Sequence, residues 1–144
     1  MRGCWSLWCG LLLGLCAAVS AGPLGAEENE KTIECSFALG GTWVYENGAF
    51  KTKTPEPLNF TITDIDLDRQ TARLITGDKS GVLKIVRALN ANHFLEVVNE
   101  GFLNLTTIYD KDPATGLHPA VHSRHLGVVG QPVFAQYAGT CTGR

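Results

Sequence analysis

From residue 32 onward, short stretches of alternating apolar and polar residues are cut off at regular intervals by turn formers. This rhythm leaves little room for anything but an all-β fold. Ile33, Cys35 and Phe37 alternate with polar neighbours, and Leu58, Phe60 and Ile62 repeat the pattern. A strand with one buried face requires that alternation. Asn47-Gly48 stands between two such runs, and Asn-Gly suits the positive φ angles of a tight hairpin turn. Gly77-Asp78-Lys79-Ser80-Gly81, Asn90-Ala91-Asn92 and Asn99-Glu100-Gly101 mark further turns. Strand-length runs separated by turn signals roughly every 8–12 residues indicate a sandwich or barrel. No stretch keeps a helical period; a short helix or single turn is expected only near Pro132–Tyr137. The expected architecture is a small antiparallel up-and-down barrel, lipocalin-like, because closure removes exposed strand edges. A β-sandwich is the alternative.

The N-terminus obeys different rules. Arg2 precedes an uncharged apolar run that ends in Val19-Ser20-Ala21. A basic start, an apolar middle and small residues at the end make a secretory signal peptide. Cleavage is expected after Ala21, with Ala26 as the second site. The alternatives are an uncleaved anchor and lipidation at Cys16, but Leu15 is large where lipidation wants a small residue. Residues 22–31 are polar with Gly and Pro and read as a flexible leader. Residues 32–144 then form one domain, long enough for its own core.

Cleavage changes the cysteine arithmetic. Of the 5 cysteines, Cys4, Cys9 and Cys16 leave with the signal, and Cys35 and Cys141 remain. Two cysteines in an exported chain are expected to pair. Charge excludes one class of partner. The chain carries 12 Lys+Arg against 14 Asp+Glu with no basic cluster, so nucleic acid is not expected. After cleavage no membrane span is expected either.

Three groups of residues could carry chemistry. Asp64, Asp66 and Asp68 have the spacing of the start of a calcium loop. Arg69 and Ile75 stand where that loop needs Gly and Glu, so a solvated strand face is the better reading. His118, His122 and His125 form the second group. Pro119 and Gly116 argue against a helix there, and in a strand His122 and His125 point to opposite faces. A metal site made of His118, His122 and His125, with His93 if it lies close, is therefore the alternative. No metal and no other cofactor is the main expectation. The third group is Arg124 with Thr107 and Tyr109. A guanidinium fork suits a carboxylate or phosphate, and the two hydroxyls could line a cavity. The bland reading of Arg124 is an ion pair with an aspartate of a neighbouring strand. Ser123 lies in no nucleophile motif. Asn59 and Asn104 begin glycosylation sequons, both within expected strands.

Thr106–Tyr109, Val121-His122-Ser123-Arg124-His125 and Gln136-Tyr137-Ala138-Gly139-Thr140-Cys141 resemble a family of small exported β-proteins of proteobacteria that have no assigned activity. The resemblance implies a periplasmic or secreted location and no particular reaction or ligand.

The expected function is non-enzymatic: an exported β-barrel that binds a small molecule or an envelope protein. His122, Arg124, His125, Thr107 and Tyr109 are the candidate ligand-binding residues. The alternative is a metal-dependent or acid–base enzyme built on His118–His125. Within residues 120–128, taken as a strand, Arg124→Ala is expected to destabilise more than His122→Ala or His125→Ala.

Overall fold

A computed structural model describes residues 30–98, 101–127 and 131–144. The expected signal at 1–21 and leader residues 22–29 lie outside the described residues. The alternating segments become β1 (Ile33–Glu46), β2 (Ala49–Lys53), β3 (Leu58–Asp66), β4 (Thr71–Thr76), β5 (Lys79–Arg87), β6 (Ala91–Val98), β7 (Phe102–Tyr109), β8 (His118–Leu126) and β9 (Val133–Gly143). There is no helix among the described residues. The helical turn expected near Pro132–Tyr137 is instead the start of β9, because Val133, Ala135 and Tyr137 alternate onto the pleat.

β3 to β9 pair in sequence order, each antiparallel to the next, and β9 returns to β1. With β1 pairing β3, the result is a closed eight-stranded barrel. β2 is an extra strand, hairpinned onto the far half of β1. Its turn is Asn47-Gly48, with φ of 53° and 82°, the positive pair that Asn-Gly adopts readily. The turn expected over Asn90-Ala91-Asn92 sits slightly earlier. The Ala88 amide donates to the Ala91 carbonyl at 2.8 Å, and Ala91 already opens β6.

Two irregularities bend the sheet into a barrel. Between Ser36 and Leu39, β1 has one residue more than β9, so the register shifts. Such a bulge sharpens the twist that closure needs. Opposite it, the backbone of Ser36 and Phe37 fills the place where Gly139 would carry a side chain. β3 has a second shift between Thr63 and Asp66, with Asp64 at φ 52°. Aspartate tolerates that region. This extra residue explains why Ile62 and Ile65, three apart, are both buried. It also breaks the expected aspartate face. Asp66 Oδ1 instead accepts the Asp68 and Arg69 amides at 3.1 and 2.8 Å and fixes the turn into β4.

The interior is filled by side chains. Phe37, Ile62, Leu83, Ile85 and Phe94 are almost fully buried, each contributing about 1.5–3 kcal/mol by leaving water. Cys35 and Cys141 face each other directly across the β1–β9 seam and are joined by a disulfide.

Candidate functional site

The inward rows of the barrel decide what each candidate residue can do. Thr106 on β7 lies opposite His122 on β8, and Asn104 lies opposite Arg124. Thr106 and His122 are buried, so this parity points inward. Thr107, Tyr109, Ser123 and His125 therefore alternate onto the outer face. Of the five residues expected to bind a ligand, only His122 and Arg124 share the interior, while Tyr109 borders the cavity at one end of the barrel.

His122 is 2% exposed. Its ring sits among Phe60, Phe37 and Tyr137, with centroids 5.2, 5.8 and 6.0 Å away. The Arg124 Nε–H donates to His122 Nε2 at 3.3 Å. His122 Nδ1, 2.9 Å from Thr106 Oγ1, then carries the ring proton and donates to that hydroxyl. Burial, and secondarily the Arg124 charge, push the His122 pKa down to about 4. The ring is thus neutral, with its one lone pair taken. Such a ring serves as a core hydrogen-bond hub and is ill placed to ligate a metal.

Arg124 does not make the expected ion pair. No carboxylate lies within salt-bridge distance of it among the described residues. Its guanidinium carbon lies 5.8 Å from the centre of the Tyr137 ring, within cation–π range. The neighbouring carboxylate, Glu96, lies over Gly81 and accepts from Asn104 Nδ2 at 2.7 Å. This geometry reverses the expected order of the alanine variants. His122→Ala leaves a cavity and strips Thr106 of a partner, and is expected to cost about 2–3 kcal/mol. Arg124→Ala should cost less, and exposed His125→Ala should stay within about 0.5 kcal/mol. Thermal melts of the three variants check this; Arg124→Ala melting lowest would restore the first order.

The alternative metal set does not assemble. His122 is in the core, His125 is on the outer face, and His118 is at one end of the barrel. His93 is bonded to Thr107 through Nδ1 at 2.9 Å. Among the described residues no group of three His, Cys, Asp or Glu could hold a metal ion.

A cavity opens at the end of the barrel where β1 and β8 begin and β7 ends. It has a volume of about 380 Å³. Ile33, Ile65, Phe94 and Ile108 form its apolar floor. Arg87, Lys111, His118, Asn92, Glu30 and Asp110 stand around the opening. Lys111 donates to Glu30 Oε1 at 2.8 Å. The His118 Nδ1–H donates to the Tyr109 carbonyl at 2.8 Å. That bond fixes the ring so that Nε2 lies 3.2 Å from Glu30 Oε2. The approach lacks hydrogen-bond geometry, and Nε2 is a buried polar atom without a hydrogen bond. The contact is an ion pair only while the ring carries both protons. Burial alone would raise the Glu30 pKa, but Lys111 and His118 outweigh it and hold the carboxyl below its ordinary value.

Sequence reasoning missed most of this opening. Glu30 falls in a stretch that reads as leader, and Arg87 and Lys111 flank turns with no motif around them. For Thr106, the alternation with Ile108 was a usable signal, since an isoleucine marks the buried parity better than a threonine or tyrosine.

A second concave surface lies on the outside. Val97, Leu103, His125, Phe134 and Trp43 follow one another across five strands. Trp43 and Phe134 stack at 4.9 Å, and Phe50 packs edge-on against Phe134 at 5.7 Å. Apart from His125 it offers apolar area without converging polar groups.

No protein-family model matches this sequence, and comparisons with curated proteins and with solved structures gave no match either.

Proposed function

We propose that this chain is an exported binding module that takes a small amphipathic anion at the open end of its barrel. The observation that carries the reading is the composition of the opening: an apolar floor beneath Arg87, Lys111 and His118. Ligand sites typically combine apolar walls with a few placed polar groups. Arg87 is exposed and makes no hydrogen bond or ion pair among the described residues, so its fork is free for a carboxylate or phosphate. Non-enzymatic binding fits the histidines better than acid–base or metal chemistry does. His122 is neutral and enclosed, and the others lie apart from one another. Export is supported by the Cys35–Cys141 bridge, since disulfides persist in oxidising compartments. The resemblance to small exported proteobacterial proteins agrees with this location.

Isothermal titration with octanoate tests the reading. Saturable binding is expected, weakened about fivefold or more by Arg87→Ala as one charge-assisted hydrogen bond is lost. Octylamine, with the same tail and the opposite charge, should bind less well. Absence of saturable binding for both amphiphiles would sink the proposal.

A further inference from the structure

We infer that Glu30 is a built-in occupant of the anion position, and that a carboxylate ligand must displace it to bind. The inference rests on the amphiphile-binding reading above and goes beyond it by assigning a competitor within the chain. Lys111 and His118 converge on the Glu30 carboxylate at 2.8 and 3.2 Å. That carboxylate is only 18% exposed, far less than is usual for a surface ion pair. It belongs to no strand and precedes β1. Two backbone bonds moor the chain just after it. The Lys31 carbonyl accepts from the Ile65 amide at 3.3 Å, and the Thr32 carbonyl accepts from the Arg144 amide at 2.8 Å.

The contacts are unequal in a way that suits exchange. Lys111 holds Glu30 with a short, charge-assisted hydrogen bond. His118 Nε2 lies close by without a hydrogen bond, and the Tyr109 carbonyl fixes its ring. A free carboxylate is not tethered to the backbone at Lys31. It could take the Lys111 bond and place its tail on Ile33, Ile65, Phe94 and Ile108. Glu30 therefore lowers the apparent affinity for carboxylates by occupying their site, in the way a minor competent state does. A neutral amphiphile does not compete for the Lys111 ammonium and escapes this penalty.

The test compares octanoate and octan-1-ol on the full chain and on Glu30→Gln, which keeps the shape and removes the charge. Octanoate should bind Glu30→Gln about tenfold more tightly than the parent, with octan-1-ol unchanged. Adding Lys111→Met to Glu30→Gln should abolish the gain. In the parent, saturation with octanoate should move the Glu30 carboxyl carbon resonance toward that of a solvated glutamate. Octanoate bound equally by parent and Glu30→Gln would overturn the inference and leave the binding reading standing. Equal tightening for octan-1-ol would overturn it too, because Glu30 would then only obstruct the cavity. A stationary Glu30 resonance at saturation would do the same. If neither protein binds octanoate, the binding reading itself fails and takes the inference with it.

Discussion

Replacing Cys35 and Cys141 together by alanine is expected to remove about 5 kcal/mol of stability, the loop-closure value for their separation. The two residues are 106 apart in sequence, so the bridge closes nearly the whole described chain. Without it, the unfolded ensemble regains the entropy of that loop. The bridge also crosses the seam whose two strands lie furthest apart in sequence. Each of the pairings from β3 to β9 joins neighbours along the chain, but β1 and β9 meet only when the barrel closes. Alanine is the right replacement because Cys35 and Cys141 are 4% and 1% exposed. A serine would add the cost of a buried hydroxyl. Urea unfolding of the oxidised parent and the double variant measures the difference. A loss under about 1 kcal/mol would show that the denatured chain is already compact near its ends. Intact mass before and after reduction should differ by two hydrogens, and free thiols in the unreduced protein would refute the bridge.

Acid should destabilise the protein through one histidine. Unfolded, the His122 ring has an ordinary pKa near 6.5; folded, it falls to about 4. Between these values the unfolded chain binds a proton that the folded chain refuses. The stabilisation from keeping the ring neutral is therefore complete above pH 6.5. It is lost as the pH falls towards 4, by about 3 kcal/mol in all. His122→Gln isolates the effect. A glutamine amide can accept from Arg124 and donate to Thr106 as the neutral ring does, but it does not titrate. Urea unfolding free energies of parent and variant should converge as the pH falls from 7 to 4. Curves that stay parallel would show that the folded ring titrates normally.

Between Ile33 and Phe37, and again along Leu58–Ile62, the sequence by itself determined the fold class. Alternation sorts side chains to two faces wherever the strand is regular, and Asn47-Gly48 determines its own turn through φ. The cysteine pairing was equally legible, because Cys35 and Cys141 are the only two beyond the expected signal at residues 1–21. What alternation could not supply was the sign of each face. In His118–Leu126 neither parity is purely apolar, so nothing local says whether His122 or His125 is buried. That choice came from the neighbouring strands, where Phe37, Phe60 and Tyr137 surround one ring. Irregularity hid more. The bulge at Asp64 turned an apparent acidic face into a turn cap, and the bulge after Ser36 let β1 leave β3 and take up β2. The opening lay furthest from reach. Glu30, Arg87, Lys111 and His118 are scattered over almost ninety positions, with no spacing rule among them. Only barrel closure brings the ends of β1, β5, β7 and β8 to one rim, because register across the sheet, rather than distance along the chain, decides which charges meet.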